Sequence, residues 1–358
     1  MQRVQNYGSF LQAYGLKKTL EGLGNEVVFI DYKPDAPIVP YSRRERIKQI
    51  IHDIPVVAIA NDYIKYYIFN KKEFVYEYRI KYLKQLGVGY RRNYKEKVDL
   101  AIIGSDEVFN CMQDGPNVGF SPALFGRNLN ADRIISFAAS FGYTTYEMLE
   151  QRGITYTIAN WLKGFEKISV RDKNSYSIVK KLTGVAPAIN LDPVLISDYT
   201  LPDVIIKDEK FAILYTYKSR QYSEYEKAVI LRFCKNNQLR LVSIGNTQNW
   251  VERKLMLSPL EMLSYFSHAN FVITDTFHGT VFSIKTKRRF TTIVRKDNNN
   301  KLADLLDQFE LTNRRMYEIN EMTLQEMYDQ PIEYEKADRF IQDEKQKALK
   351  YLRTYTLS

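Results

Sequence analysis

Short apolar runs alternate with stretches of helical periodicity along most of the chain, a pattern that predicts parallel strands joined by helical crossovers. The first periodic stretch sets Phe10, Leu11, Tyr14, Leu16, Leu20 and Leu23 at helical spacing, with Gly22 and Gly24 to close it. This predicts an N-terminal helix. Val27 to Ile30 then reads as a buried strand. A wound α/β domain normally opens with a strand, so a helix in first place carries the expectation of a further strand ahead of Met1.

From about residue 41 to 94 the pattern turns helical, basic and aromatic, with Arg43, Arg44, Arg46, Lys48, Lys65, Lys71, Lys72, Arg79, Lys81 and Lys84 interleaved with tyrosines. The segment reads as a helical insertion, either solvated basic faces around a small satellite core or a docking surface for an anionic acceptor or lipid headgroups. Strand-like runs follow at Leu100 to Ile103, Ile134 to Phe137, Ile168 to Val170 and Ile189 to Leu191. Asp198 to Lys210, with Pro202 and mixed charge, reads as a linker. A second series has strands at Phe211 to Tyr215, Leu239 to Ile244, Phe271 to Thr274 and Phe290 to Val294, and helices near Ser223 to Lys235 and Pro259 to Phe266. Leu302 to Phe309 predicts another helix and Lys336 to Tyr351 a charged terminal one. The expected fold is α/β with two wound domains, residues 1–200 carrying the insertion and 201–330 repeating the architecture, followed by a C-terminal helix at 331–358.

Composition narrows the class. At 358 residues, the chain exceeds what one core usually serves, which agrees with two domains. Hydrophobic residues at 45% and charged residues at 26% describe an ordinary globular protein, and 27 tyrosines suit both cores and sugar contacts. A net charge of +10 favours anionic partners, but it is spread over many helices and no nucleic-acid reader motif accompanies it. Cys111 and Cys234 form no CxxC pattern, so neither a disulfide framework nor a zinc site is indicated, and a reducing cytoplasm fits. With no apolar run long enough to span a bilayer, membrane contact is limited to peripheral association at the inner face.

In open parallel sheets ligands sit beyond the carboxyl ends of strands, so the corners after each apolar run carry the candidate chemistry. The corner Thr274-Asp275-Thr276-Phe277-His278-Gly279-Thr280 joins a strand to an apolar helix and puts His278 at or near the helix start, where free N–H groups favour an anion and Gly279 allows close approach. His278 is placed to transfer a proton, to hold a phosphate, or only to fill the turn. After Ile103, Gly104 and Ser105 suit a tight turn, with Asp106 and Glu107 as base, sugar-hydroxyl acceptors or a helix N-terminal pair. Arg171 leaves the next strand as a fork for carboxylate or phosphate, or as an ion-pair partner, with Asp172 or Asn174 to cap the helix that follows. Leu191-Asp192-Pro193 reads as a structural turn. His52 and His268 are read as packing or helix-surface residues. No Walker loop, GxGxxG, HExxH or GxSxG is present.

Six ordered segments resemble the polysaccharide pyruvyl transferase family: NYGSFLQAY at 6–14, IIGSDEVFN at 102–110, SFAASFG at 136–142, SVRDKNS at 169–175, LDPVL at 191–195 and VITDTFHGTVFSI at 272–284. The resemblance implies a GT-B-like pair of Rossmann-like domains facing across a cleft. It also implies transfer of a pyruvyl group from phosphoenolpyruvate, as donor substrate and with no cofactor, to hydroxyls of a sugar or lipid-linked glycan in cell-surface polysaccharide biosynthesis. His278 would be the general acid, with Arg171, Thr276, Gly279, Thr280 and Arg295 around the donor's anionic groups. Asp106 would orient or deprotonate the acceptor, and Asn6, Tyr7, Gly8, Ser105, Glu107 and Asp275 would line the cleft. The better-characterised members carry an Arg-Leu-His pattern where this chain has Thr276-Phe277-His278, so the donor's anion is expected to be held differently here. A nucleotide-sugar glycosyltransferase and a catalytically silent glycan-binding or complex-forming relative are the alternatives.

Overall fold

The computed structural model describes residues 2–33, 60, 63–68, 74–113, 120–206, 210–217, 219–245, 247–295 and 299–356. Its contacts separate into two units, Met1–Ser197 with Glu344–Ser358, and Asp198–Asp343.

In the first unit, helix α1 (Tyr7–Gly22) starts where Asn6, in extended conformation, accepts a hydrogen bond from Ser9 N at 2.6 Å. This satisfies one of the N–H groups that a helix start leaves open. Its buried face carries Tyr7, Phe10, Leu11, Leu16 and Leu20. Tyr7 and Phe10 pack onto Phe74 and Tyr78, with centroids 4.2 and 6.1 Å apart, in the helical run 74–85. Within that run Tyr78, Ile80, Tyr82 and Leu83 are buried, while Lys81 and Lys84 are exposed and Arg79 is half-buried. This part of the basic insertion is thus a satellite core with a charged outer face. Arg43, Arg44, Arg46, Lys48, His52, Lys71 and Lys72 lie outside the described residues.

The sheet of this unit is parallel throughout. Strand β1 (Val98–Ile103) pairs with β2 (Ala131–Ser136), and β3 (Ser169–Val170) pairs with β4 (Ala188–Ile189). Bridges at Ile135–Lys167 and Ala139–Val170 join the two pairs, so the strands lie in chain order. Helices α2 (Tyr146–Gln151) and α3 (Thr155–Leu162) cross from β2 to β3, and α4 (Lys173–Thr183) crosses from β3 to β4 before the short α5 (Pro193–Ile196). Phe109 anchors the core between Phe125, Phe141 and Phe165, with centroids 5.0 to 5.8 Å away. The chain's last residues belong here too, since Tyr351 donates to Ser136 O at 2.9 Å. The strand expected at Val27 to Ile30 is not formed. The segment carries no regular secondary structure and has no ladder partner among the described residues, and Val28 is 43% exposed.

The second unit is a six-stranded parallel sheet. Its strands are β5 (Phe211–Tyr215), β6 (Arg240–Ile244), β7 (Arg253–Leu255), β8 (Phe271–Thr274), β9 (Phe290–Ile293) and β10 (Arg315–Met316), in the order β10-β9-β8-β5-β6-β7. Helices α6 (Glu224–Asn236), α7 (Pro259–Phe266), α8 (Phe277–Lys285) and α9 (Asn299–Gln308) lie between strands, and α10 (Glu321–Asp329) follows β10; α11 (Tyr334–Thr356) begins in this unit, and from Glu344 it belongs to the first. Both α6 and α7 begin with reciprocal Ser–Glu capping boxes, at Ser223/Glu226 and Ser258/Glu261. All four residues of β8 and of β9 are buried, as a central parallel strand covered on both faces requires. The chain winds outward from β5 in one direction and returns at β8 to wind in the other. The topological switch point of the sheet therefore lies between β5 and β8.

Candidate active site

The β8–α8 corner leaves the sheet at that switch point, and its conformation is fixed from within. Thr274 Oγ1 donates to Tyr215 O on β5 at 2.7 Å and accepts from Thr276 N at 3.1 Å. Thr276 is the N-cap of α8, accepting from Gly279 N at 2.9 Å. Gly279 is required by this packing, because a Cβ there would stand 2.1 Å from Thr274 Oγ1. Thr280 is fully buried, donates to Thr276 O at 3.1 Å and lies 2.9 Å from Thr292 Oγ1 on β9. The side chains of Thr276 and Thr280, expected around a donor anion, therefore serve the helix start and the helix–sheet contact. The close approach expected of a ligand at Gly279 is made by the protein's own Thr274.

His278 is the second residue of α8 and is half-buried. Its ring meets Phe277 edge-on at 5.4 Å and stacks on Phe282 at 6.0 Å. Two apolar contacts thus set the plane of the imidazole.

Three residues before it, Asp275 is fully buried and draws its partners from the ends of two neighbouring strands, β5 and β9. Thr216, just beyond β5, donates to Asp275 Oδ1 at 2.7 Å; Arg220 Nε lies 2.5 Å from Asp275 Oδ2, and Arg295 Nε, just beyond β9, lies 3.9 Å from it. Arg295 also donates to Glu226 at 3.0 Å and stands over the Tyr222 ring at 5.3 Å. Burial pushes the Asp275 carboxyl above its ordinary value, against the opposing pull of Thr216, Arg220 and Arg295. Glu226 goes the other way: burial resists, but the Ser223 N–H and Arg295 hold it below the usual glutamate value. The guanidiniums remain partly accessible, with side-chain exposures of 16% for Arg220 and 25% for Arg295. Two arginines at the carboxyl ends of a parallel sheet, close to a helix start, make a site suited to a small anion. Arg220 was not among the residues singled out from the sequence. Its signal is positional: it follows β5 by five residues, in a corner with no motif of its own.

The first unit carries a second charged corner. Arg171, just past β3, donates to Asp192 at 2.7 Å and lies 3.6 Å from Asp106, and its side chain is 4% exposed. Burial disfavours its charge, yet Asp192, Asp106 and Asp172 outweigh this and hold the guanidinium protonated. Of the two readings of Arg171, the fork for a donor and the ion-pair partner, the described contacts are those of a buried ion pair. Asp192 also caps α5, accepting from Val194 N at 3.0 Å, and Asp172 caps α4 through Ser175 N at 2.7 Å. Asp106 sits in the left-handed region at φ 70°, an uncommon conformation for a non-glycine residue, and accepts from Ser9 at 2.8 Å. No helix begins at Asp106 and Glu107. Glu107 accepts from Asn110 at 2.7 Å and Ser105 donates to Ala138 O at 3.0 Å. Gly104, at φ 137°, passes so close to Phe137 that a Cβ would lie 2.1 Å from its carbonyl oxygen. Asn6, Tyr7 and Gly8, expected in a ligand-facing loop, are the cap and first turn of α1, with Tyr7 and Gly8 buried.

His268 is exposed after α7, its Nδ1 2.9 Å from Ser264 O. Cys111 and Cys234 are buried free thiols, and burial raises both, Cys234 to about 12. Among the described residues no group of three or more His, Cys, Asp or Glu side chains is arranged to hold a metal ion, and no helix is long and apolar enough to cross a membrane.

Comparison with solved structures finds the MnaA–UDP structure from S. aureus at TM-score 0.51 and 10% identity, covering 98% of this chain and 94% of that one. The calicheamicin glycosyltransferase CalG4 aligns at TM-score 0.42 and 12% identity, over 98% and 94% of the two chains. At such identities the first likeness shows the fold alone, GT-B-like with two Rossmann-like units. No curated protein matches significantly. The model of the polysaccharide pyruvyl transferase family matches residues 6–298, from the cap of α1 through the β9 corner, and the chain, a transferase, belongs to that family.

Proposed function

We propose that the protein transfers a pyruvyl group from phosphoenolpyruvate to two hydroxyls of one sugar unit in a cell-surface polysaccharide precursor. The observation that carries this reading is the β8–α8 corner, where a ring-stacked histidine stands three residues after an aspartate held by two partly accessible arginines. Arg220 and Arg295 bind the donor's carboxylate or phosphate, a task for which Thr276 lacks charge. His278 in its protonated form delivers a proton to the donor's terminal enol carbon, and the neighbouring carbon becomes an oxocarbenium-like electrophile. One acceptor hydroxyl bonds to that carbon, and its proton replaces the one His278 gave up. The second hydroxyl bonds in turn as the carbon–oxygen bond to phosphate breaks, its proton leaving with the phosphate, which yields a cyclic ketal and inorganic phosphate with no redox change. The acceptor is a sugar or lipid-linked glycan, and the reaction runs at the cytoplasmic face of the membrane.

The test is phosphate release from phosphoenolpyruvate over a panel of free and lipid-linked sugars, with His278→Ala in parallel. The expected result is acceptor-dependent release that falls about 10²- to 10⁴-fold in the variant, the usual contribution of a general acid. Release equal in both proteins would overturn the assignment of His278. Saturable binding of a nucleotide sugar, with none of phosphoenolpyruvate, would replace the donor.

A further inference from the structure

The arginine corner of the second unit is balanced in charge. Its ionised groups, among the described residues, are two guanidiniums, Arg220 and Arg295, and two carboxylates, Asp275 and Glu226. As ion pairs the four sum to no net charge, so an anion gains little by entering the corner unless one carboxylate gives up its arginine.

The two carboxylates are not equally able to do so. Asp275 is fully buried, with Thr216 on one oxygen and Arg220 Nε 2.5 Å from the other. Letting go of its arginines would strand a charge out of reach of water. Glu226 stands in the first turn of α6 with 19% of its side chain exposed, and it divides its oxygens between two tasks. Oε2 accepts from Ser223 N at 2.7 Å and completes the capping box of α6, whereas Oε1 accepts from Arg295 Nη2 at 3.0 Å. The second contact can therefore be released while the first is kept, and water can take up the released oxygen.

Arg295 does not depend on Glu226 for its place. Its guanidinium lies over the Tyr222 ring at 5.3 Å, and Tyr222 is itself buried against Trp250, with ring centroids 5.6 Å apart. Its Nε lies 3.9 Å from Asp275. An aromatic platform and a buried carboxylate at the inner edge keep the cation beyond the end of β9 when an outer nitrogen changes partner.

We propose that Glu226 is an internal competitor for the anion site: its Oε1 occupies on Arg295 the place that an oxygen of the donor's phosphate or carboxylate takes, and it returns there as that group departs. The competition exists only if Arg220 and Arg295 are the donor's anion site, the reading on which it rests. It bears on turnover, because product phosphate then leaves as a carboxylate takes over its arginine, without stripping a bare guanidinium.

Glu226→Gln removes the charge and keeps the cap, since glutamine serves the same position of a capping box. Calorimetry measures the binding of phosphoenolpyruvate, inorganic phosphate and pyruvate to the wild type, Glu226→Gln, Arg295→Ala and the double variant. The expected result is a dissociation constant for phosphoenolpyruvate about three- to tenfold lower in Glu226→Gln, with only a small part of that gain in the Arg295→Ala background. A matching gain for inorganic phosphate assigns Arg295 to the donor's phosphate, and one for pyruvate to its carboxylate; either supports the competitor. Unchanged or weaker binding by Glu226→Gln overturns it. A gain of equal size without Arg295 also overturns it, because the charge would then act through its field alone. So does a Glu226→Gln protein that fails to fold, since the pair would then serve α6 and not the ligand. In each of these failures the anion site still stands if Arg295→Ala alone weakens phosphoenolpyruvate binding; if it does not, the site is misassigned and the competitor falls with it.

Discussion

Each unit of the molecule gathers arginine and carboxylate at the carboxyl ends of its strands, and the two clusters differ in one decisive way. In the first, Arg171 is sealed at 4% exposure, with Asp192 at 2.7 Å and Asp106 beyond it. In the second, Arg220 and Arg295 flank a single buried Asp275 and keep 16% and 25% of their side chains open. A guanidinium enclosed by its own carboxylates holds a corner of the fold together. One that remains partly hydrated can exchange water for a ligand's oxygens at low cost. Similar residue types in similar topological places thus have different work, and accessibility rather than identity separates them.

The largest expected effect follows from that contrast. Arg171→Ala leaves Asp192 buried without its partner, which should destabilise the first unit by about 3–5 kcal/mol. Arg295→Ala, at a more open site, should cost under about 1 kcal/mol in stability while weakening phosphoenolpyruvate binding. Chemical denaturation with donor titration on both variants checks the pair. A stable Arg171→Ala protein with a lost donor site would reverse the two roles.

How much of this was legible in the sequence depended on whether the feature leaves a periodic trace. Buried strands such as Phe211–Tyr215 and Phe271–Thr274 announce themselves by unbroken apolar runs, and Ser223 and Ser258 mark helix starts through glutamates three residues on. Edge strands do not: Arg253–Leu255 and Arg315–Met316 carry charge and are only two or three residues long, so their pairing is decided by β6 and β9. Val27–Ile30 fails for the opposite reason, an apolar run whose neighbour is a cavity. At the candidate site the corner itself was readable, but the direction of each side chain was not. Thr280 follows Thr276 by one helical turn and faces β9 as a result. Arg220 was invisible because an irregular corner has no spacing to read.

The two sheets also differ in how completely they bury their strands, and matched truncations measure this. Ile273→Ala in fully buried β8 should cost about 2–5 kcal/mol, and Ile102→Ala in half-buried β1 about half as much. Equal costs would contradict the under-burial of β1.

The smallest effect concerns the buried acids, one beside each arginine cluster. Burial raises the Asp172 carboxyl above its ordinary value, although the Ser140 hydroxyl, Ser175 and Arg171 all pull it down. A carboxyl raised on folding contributes stability that is full below its unfolded value of about 3.9 and is lost as pH climbs through the folded value. Asp172→Asn keeps an oxygen for the Ser175 N–H, so the cap of α4 survives, while the titration disappears. Melting temperatures across the acid range should therefore show the wild type losing ground to Asp172→Asn as pH rises above about 4, beyond whatever slope the two proteins share. Parallel slopes would mean that Arg171 and the hydroxyls fully offset the burial of this carboxylate, and the first unit's cluster would then be better balanced than its enclosure implies.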